Sequence, residues 1–279
     1  MPHAPIALMT DFGTDDTYVG VMKGVISGIA PDSPIIDVNH AIPPGDIRQA
    51  AFQLWQAVRY FPKGAVFVLV IDPGVGTARR PVAFRWADRW LVGPDNGLFT
   101  YLLLTRPAGP AVILDNPAYQ LKRVSTTFHG RDVFAPAGAH LAAGVALDQL
   151  GSPAPELIRF EPPSLNIETD EIQGEIIHAD HFGNLVSNIG YLAADREKIH
   201  ISPWLPGDAA AEYPAADVGV ELPGGERLPL SGTFGDVSPG NLVAYIGSES
   251  LLEIGINQGS AAEALGLSAG NSIRISFSS

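Results

Sequence analysis

Three glycine-containing segments in the first half of the chain carry side chains that could do chemistry. They are Asp11 in segment 10–16, Asp72 and Arg79 in segment 72–80, and His129 in segment 126–132. A carboxylate beside glycine can accept paired hydrogen bonds from ribose hydroxyls, and an exposed histidine suits a general base. Taken singly, each segment has a plain structural alternative: an acidic helix start, a strand-to-strand turn with a surface arginine, or a structural histidine.

A fourth segment, 178–184, combines histidines, an aspartate, an aromatic ring and an amide. Its histidines and aspartate suggest a metal site, but their spacing matches no helical or finger-like ligand pattern. Phe182 and Asn184 fit adenine better, because a ring offers a face for stacking and an amide both donates and accepts. The segment therefore predicts a purine site rather than a metal site.

Strands that alternate with helices must position the first three segments. The predicted strands are Ile6–Met9, Pro34–Val38, Ala65–Ile71, Val82–Arg85, Trp90–Val92 and Val112–Leu114, and the predicted helices are Thr17–Ile29, Ile47–Phe61, Gly97–Leu104 and Asp132–Ala143. Asp15 or Asp16 is the expected N-cap of the first helix, and Asp46 precedes the second. This alternation predicts an α/β domain with a central, mostly parallel sheet. Asp11 and Asp72 follow two of its strands, at the carboxyl edge where such sheets bind ligands.

The pattern changes beyond the proline-marked segment 160–164. Short apolar runs separated by turn residues predict strands at Glu171–Ile177, Leu185–Ile189, Val218–Leu222, Leu242–Ile246, Leu251–Ile254 and Ser272–Phe277. Regularly spaced short strands are typical of a small all-β, barrel-like domain. The predicted organisation is an N-terminal domain over 1–160, a linker over 161–171 and a C-terminal domain over 172–279.

Composition narrows the range of partners. A formal net charge of −13 argues against nucleic acid, whose phosphates such a surface would repel. The absence of cysteine excludes disulfides and thiolate chemistry. The longest strongly apolar run, Ala65–Ile71, is far below the roughly 20 residues that a membrane-spanning helix needs. With no signal-like segment at the start, the expected location is the cytoplasm.

The ordered set of motifs is more specific than any one of them. The set comprises Met9–Asp16, Asp72–Gly76 followed by Arg79, Pro94–Gly97, Thr127–Asp132 and Asp180–Asn184. In this order the motifs resemble those of the S-adenosylmethionine hydroxide adenosyltransferases, which are related to the bacterial fluorinase and chlorinase. The resemblance spans essentially the whole chain and implies an α/β domain joined to a C-terminal β-barrel.

The resemblance also implies where S-adenosylmethionine would bind. Family members typically form homotrimers that hold the substrate between the N-terminal domain of one subunit and the C-terminal domain of the next. Asp11 would bind the ribose hydroxyls, Asn184 would contact adenine with Phe182 and Phe234 nearby, Asp180 and Ser248 would serve the methionine end, and Asn257 would close over the purine. Glu249 stands where the fluorinase has an arginine after its methionine-binding serine, so the partner of the methionine carboxylate stays open.

Asp72, Arg79 and His129 match the family's hydrolytic triad, which implies hydrolysis of S-adenosylmethionine to adenosine and methionine by water. The leaving thioether is neutral, so the reaction requires no general acid and, by this account, no metal or cofactor. The hypothesis is that Arg79 stabilises developing hydroxide, His129 accepts or relays its proton, and Asp72 fixes the geometry of both.

Three alternatives stay open from the sequence. A halogenase would need a halide site, and the carboxylate of Asp72 would repel the anion. A non-catalytic adenosine or S-adenosylmethionine sensor would keep Asp11 and Asn184 but would not need the triad. A structural or protein-interaction module would bind no small molecule, and thermal stabilisation by adenosine would count against it.

Overall fold

The computed structural model describes residues 4–205, 210–215 and 218–277. The chain divides into two compact units, Met1–Phe160 and Glu161–Ser279. Among residues 4–205, 210–215 and 218–277, no helix is long and apolar enough to cross a membrane.

The first unit is built on one six-stranded sheet. Its strands are β1 (Ile6–Thr10), β2 (Ile35–Asn39), β3 (Val66–Val70), β4 (Pro81–Trp86), β5 (Arg89–Pro94) and β6 (Ala111–Ile113), and its helices are α1 (Tyr18–Ile29), α2 (Ile47–Val58), α3 (Thr100–Thr105) and α4 (Ala135–Ala142). The strand order is β2-β1-β3-β5-β4-β6. Strands β2, β1, β3 and β5 are joined by parallel pairings, whereas β4 is antiparallel to both β5 and β6. The sheet is therefore mixed, with a parallel part that contains β1 and β3.

Strands β1 and β3 are buried on both faces, which explains their nearly unbroken apolar sequences. Every residue of β1 and β3 is buried. Alternate residues such as Leu8 and Val68 share one core with Met22 of α1 and several residues of α4. The opposite face carries Phe67, whose ring lies 4.8 Å from that of Phe61, just beyond α2. Helices thus cover both faces of the sheet, and the polar residues lie at the ends of the strands.

The helices confirm the apolar periodicity but correct several boundaries. Asp46 caps α2 by accepting a hydrogen bond from the Gln49 backbone N–H at 2.9 Å. The expectation that Asp15 or Asp16 caps α1 is wrong, because the residue before that helix is Thr17, whose side chain forms no cap bond. The last predicted helix, Asp132–Ala143, opens with a wide π-helical turn over Gly130–Phe134 before α4 begins.

The second unit is a closed, barrel-like sheet. Its strands are β7 (Asn166–Ile167), β8 (Glu171–Ala179), β9 (Leu185–Gly190), β10 (Leu192–Ala194), β11 (Lys198–Ile201), β12 (Ala211–Pro214), β13 (Val218–Glu221), β14 (Arg227–Ser231), β15 (Leu242–Ile246), β16 (Leu251–Ile256) and β17 (Ser272–Phe277). The order is β17-β13-β14-β15-β16-β9-β8-β7, and an additional pairing of β17 with β8 closes the ring. Strands β10, β11 and β12 form a separate sheet.

This unit differs from the sequence prediction both at its start and near its end. The predicted linker over 161–171 contains β7, which pairs with β8, and the first residue of β8 itself. A short helix, α5 (Ala261–Leu265), interrupts the expected all-β pattern and is capped by Ser260. The apolar residues of the strands meet in one core that includes Ile176, Ile254 and Ile275.

Candidate functional site

Arg79 joins Asp72 and His129 into one hydrogen-bonded cluster. Its Nε donates to Oδ1 of Asp72 at 2.8 Å, and its Nη2 contacts Oδ2 of the same carboxylate. The same Nη2 lies 2.8 Å from Nδ1 of His129. The side chains of Arg79 and Asp72 are only 8% and 5% exposed, so this bidentate ion pair is shielded from water.

The arginine fixes which ring nitrogen of His129 can accept a proton. A guanidinium only donates, so Nδ1 of His129 must accept, and the neutral ring carries its proton on Nε2. Burial lowers the pKa of His129, and the positive charge of Arg79 lowers it further. The imidazole is therefore neutral at pH 7, as an acceptor of protons must be.

The loop after β3 holds the arginine in place. Asn96 donates to the carbonyl of Ile71 at 2.9 Å, which anchors the chain just before Asp72. Within the loop, Thr77 Oγ1 donates to the carbonyl of Gly74 at 2.7 Å. The guanidinium carbon of Arg79 lies 5.2 Å from the centre of the Phe134 ring, a cation–π contact that supports the cluster from the helix side.

His129 sits on a loop that closes around a buried carboxylate. Oδ2 of Asp132 accepts from the Ser125 backbone N–H at 2.7 Å, and Oδ1 accepts from Nε of Arg131 at 2.6 Å. Burial alone would raise the pKa of Asp132, but the hydrogen bonds from Arg131 and Ser125 outweigh it and lower the pKa. The charged Asp132 thus fixes both ends of the segment that presents His129.

The two loops meet at Gly76. This residue has φ +77°, and a Cβ placed on it would lie 2.6 Å from the carbonyl oxygen of Thr126. A side chain at position 76 would therefore force apart the loops that carry Arg79 and His129.

We expect Gly76→Ala to destabilise the protein by about 2–4 kcal/mol, since it adds a backbone collision to the strain of positive φ. The hydrogen bond between Arg79 and His129 should weaken as well, because the two loops would separate. The matched control is Gly144→Ala, with φ +91° and nothing within 4 Å of the added Cβ. It should cost about 1 kcal/mol. Urea unfolding measures both losses, and equal losses would contradict the role given to the contact with Thr126.

Asp11 lies at the end of β1, on the parallel part of the sheet that also carries Asp72. Its Oδ2 accepts from the Gly45 backbone N–H at 2.8 Å. Burial raises the pKa of Asp11 above its ordinary value, hydrogen bonds from backbone N–H groups oppose the rise, and the charge of Asp72 adds to it. The last residues of β1 and β3, Thr10 and Val70, are paired in register, so the carboxylates of Asp11 and Asp72 follow neighbouring strand ends.

Aromatic rings connect the Asp11 loop to the His129 loop. The ring of Phe12 lies 5.8 Å from that of Phe128, and Tyr18 contacts both, at 5.7 and 5.2 Å. Phe12 directly follows Asp11, and Phe128 directly precedes His129. The structure thus joins Asp72, Arg79 and His129 by hydrogen bonds and places the Asp11 loop in contact with the His129 loop.

In the second unit, the residues that the sequence predicts to contact the purine line a pocket of about 530 Å³. The lining residues are Phe182, Asn184, Phe234, Ile256, Asn257, Gln258, Gly259 and Ser260. Phe182 is 73% exposed, so its ring is available for stacking. Asn257 donates to the carbonyl of Val237 at 2.8 Å, which ties its strand end to the segment that carries Phe234.

Asp180 organises the loop that presents Asn184. Its Oδ1 accepts from the backbone N–H groups of Phe182 and Asn184 at 2.9 and 2.8 Å. Its Oδ2 accepts from the side-chain Nδ2 of Asn184 at 2.9 Å, which orients that amide. Ser248, predicted to share the methionine end with Asp180, lies on an exposed turn after β15. Neither Asp180 nor Ser248 is among the pocket-lining residues named above.

The sequence analysis missed a glycine and a tyrosine that shape this pocket. A Cβ on Gly255 would lie 2.6 Å from the Phe234 ring and 2.7 Å from Oδ1 of Asn184, so glycine lets both approach the strand. Tyr245 packs its ring 4.7 Å from that of Phe234 and donates to Glu253 at 2.6 Å. The sequence did carry a signal for this close approach of Phe234 and Asn184 to the strand, because Gly255 is a glycine inside an otherwise apolar strand pattern.

Neither unit shows a metal centre in the part of the chain described here. No group of three or more histidine, aspartate or glutamate side chains among these residues converges in a way that could hold a metal ion.

Two family models match the chain, one on each unit. Residues 6–151 match the N-terminal domain of the S-adenosylmethionine hydroxide adenosyltransferases, and residues 174–274 match the C-terminal domain. Among its relatives, the (R)-S-adenosyl-L-methionine hydrolase of Thermus thermophilus is 42% identical over 97% of this chain and 99% of that protein. A fluorinase of Nocardia brasiliensis is 30% identical over 97% of this chain and 96% of its own.

A solved structure shares the fold along the whole chain. An uncharacterized conserved protein from Thermotoga maritima superposes with a TM-score of 0.84 at 31% identity, over 97% of this chain and 99% of that one. With family models on both units and a relative at 42% identity over nearly its full length, the chain belongs to the S-adenosylmethionine hydroxide adenosyltransferase family.

Proposed function

We propose that this protein hydrolyses S-adenosylmethionine to adenosine and methionine by attack of water on the ribose C5′ carbon. The observation that carries the proposal is the hydrogen-bonded Asp72–Arg79–His129 cluster in a member of this family. The identity to a hydrolase over nearly the whole chain supports the same reaction.

The cluster suits a reaction whose difficult partner is the nucleophile. Water forms a bond to C5′, the C5′–sulfur bond breaks with its electron pair moving to sulfur, and one proton must be released. The sulfonium leaves as a neutral thioether, so no acid is needed on that side. Arg79 would stabilise negative charge developing on the attacking oxygen, and Asp72 would hold the arginine in a fixed orientation.

His129 would handle the released proton. Its Nδ1 is the ring nitrogen with a lone pair and already accepts from Arg79. When Nδ1 takes up the proton of the attacking water, it gives up the hydrogen bond from Arg79, and the imidazolium then releases its Nε2 proton to solvent. Proton exchange with water returns the ring to the tautomer that accepts from Arg79. We therefore assign His129 a relay role, with no metal and no cofactor in the reaction.

The substrate contacts that we propose divide between the two units. Asp11 would hold the ribose hydroxyls through its carboxylate, whose Oδ2 already accepts from Gly45. In the second unit, Phe182 and Phe234 would flank adenine, Asn184 would read its edge, and Asn257 would close over it. We propose Asp180 and Ser248 for the methionine end, with Asp180 acting also through the orientation of Asn184.

A homotrimer would bring the two sets of residues together from neighbouring subunits. Asp72→Asn and Asn184→Ala should each be nearly inactive alone. Random mixed trimers made by co-expression should regain about a quarter of the wild-type activity, since each site draws one half from each neighbour. Sedimentation measures the trimer, and mixtures that stay inactive would place both halves of the site in one subunit.

The pH dependence of kcat should report the neutral state of His129. Because the pKa of His129 is lowered below about 6.5, kcat should stay level as the pH falls to that value and decline only at lower pH. His129→Asn keeps an acceptor for Arg79 but cannot relay a proton, so it should lower kcat about 100-fold and remove the decline. Steady-state rates at saturating substrate between about pH 5 and 8 test this, and a wild-type decline that begins above pH 7 would contradict it.

Product analysis separates this proposal from its alternatives. Incubation with S-adenosylmethionine should give equal amounts of adenosine and methionine. A sensor would be stabilised by the ligand without turnover, and a halogenase would form a halogenated nucleoside when halide is supplied. The charge of −13 supports a small-molecule partner rather than nucleic acid, and a cytoplasmic, non-membrane location stays a prediction.

A further inference from the structure

His40 is a buried histidine outside the proposed contacts, and both of its ring nitrogens are engaged. It follows β2 and is 7% exposed. Its Nδ1 lies 2.9 Å from Oγ1 of Thr10, and its Nε2 lies 3.0 Å from Oδ1 of Asp37. Asp37 in turn accepts from Lys23 at 2.6 Å. The ring therefore connects a charged pair beside α1 to the last residue of β1.

The hydrogen-bond directions form one consistent chain. Thr10 Oγ1 accepts from the backbone N–H of Phe12 at 3.3 Å, so its own proton can point to Nδ1 of His40. A neutral ring then donates from Nε2 to the Asp37 carboxylate. All of these contacts are satisfied together when Nδ1 of His40 accepts.

This chain holds the backbone on both sides of Asp11. Thr10 precedes Asp11, Phe12 follows it, and the backbone N–H of Gly13 donates to the carbonyl of His40 at 2.8 Å. The side chain of Asp11 is held by Gly45, which lies on the same β2-to-α2 connection as His40. That connection therefore forms hydrogen bonds with both the backbone of the Asp11 loop and the Asp11 carboxylate.

We propose that His40 is a positioning residue that sets the Asp11 carboxylate for the ribose hydroxyls. This inference rests on the proposed function, because it assigns Asp11 to the ribose. Without the imidazole, Thr10 would lose the acceptor of its hydroxyl proton, and the 10–13 loop would lose one of its three attachments to that connection. The loss should then fall on ligands that carry ribose hydroxyls.

Calorimetry with adenosine and 2′,3′-dideoxyadenosine tests the proposal. His40→Ala should raise the Kd of adenosine about tenfold and change the Kd of the dideoxy compound by less than about twofold. His40→Asn, whose side-chain oxygen can take the place of Nδ1 toward Thr10, should keep adenosine within about threefold of wild type. His40→Gln reaches toward Asp37 instead and should behave like the alanine variant.

A second histidine and a second variant keep the test decisive. His140→Ala removes a half-buried ring from α4 that contacts Tyr119, and it should leave both dissociation constants unchanged. If His40→Ala does not fold, Thr10→Val removes the same hydrogen bond and should give the same selective loss. Equal losses for both ligands would overturn the positioning role. Failure of the wild type to bind adenosine would instead overturn the proposed function.

Discussion

Arg79→Lys should lower kcat for S-adenosylmethionine hydrolysis by about 100- to 1,000-fold while leaving adenosine binding within about threefold of wild type. A lysine keeps the positive charge beside Asp72 but cannot reproduce the planar fork that Nε and Nη2 of Arg79 make with that carboxylate. It also cannot reach Asp72 and His129 in the same geometry. The variant therefore removes orientation rather than charge.

Lysine is chosen rather than alanine because it should destabilise the fold less. Asp72 is 5% exposed, and Arg79→Ala would leave its carboxylate without its ion-pair partner, a loss that typically costs about 3–5 kcal/mol. Loss of activity in the alanine variant would then be ambiguous between chemistry and folding. Lysine avoids most of that penalty, so a fall in kcat can be assigned to the cluster.

Arg80→Lys is the matched control. Arg80 is adjacent in the chain and pairs with the buried carboxylate of Asp95, which also accepts from the backbone N–H of Ile158 at 2.8 Å. This pair is structural in our account, so the substitution should lower the melting temperature and leave kcat within about threefold of wild type. If Arg80→Lys lost as much activity as Arg79→Lys, the catalytic assignment of Arg79 would be wrong.

Asp11→Asn should weaken adenosine binding by about 30- to 100-fold and lower kcat/KM by a similar factor. An amide keeps the size of the side chain but replaces one of the two acceptor oxygens with a donor, which cannot bind a hydroxyl proton. Because the pKa of Asp11 is raised, the wild-type affinity should also fall as the pH decreases, at a higher pH than for an ordinary aspartate.

The control for Asp11 is a nearby aspartate in the same acidic segment. Asp15 is exposed, and Asp15→Asn removes the same charge without touching the carboxylate held by Gly45. Its adenosine affinity should stay within about twofold of wild type. Calorimetry on the two variants decides the assignment, and a large loss in both would show that only the overall charge matters.

The sequence carried enough information to predict the parallel part of the sheet. The unbroken apolar run Ala65–Ile71 contains the fully buried strand β3, and the alternation of strands and helices matches the first unit. The strand β4 itself was predicted, but its reversed direction was not visible in this pattern, because an antiparallel strand between two others is also largely apolar. Whether a strand runs parallel or antiparallel to its neighbours depends on how the chain connects the strands, and the amino-acid composition of a strand does not encode this.

The second unit shows where local patterns stop being informative. Strands β7, β10, β11, β12 and β14 were not predicted. They are short, and their stability comes from pairing with partners rather than from intrinsic preference. Arg227–Ser231, for example, contains a proline and pairs with one antiparallel and one parallel neighbour. Such strands are defined by the closed sheet around them.

The site divides in the same way between local and tertiary information. The positions of Asp11 and Asp72 after their strands were predictable from the edge rule for α/β sheets. The bridge that Arg79 makes to His129 was not, because it depends on the close approach of Gly76 to Thr126 between distant loops. The orientation of Asn184 by Asp180 likewise required knowledge of the turn geometry.

The most direct test of the central claim is hydrolysis in ¹⁸O-labelled water, with S-adenosylmethionine as the only added substrate and with metal and halide omitted. Mass spectrometry should find adenosine that carries the label on its 5′ oxygen, together with methionine. That result would establish attack of water on C5′ as proposed. Unchanged substrate that nevertheless stabilises the fold, or adenosine without the label, would contradict the account.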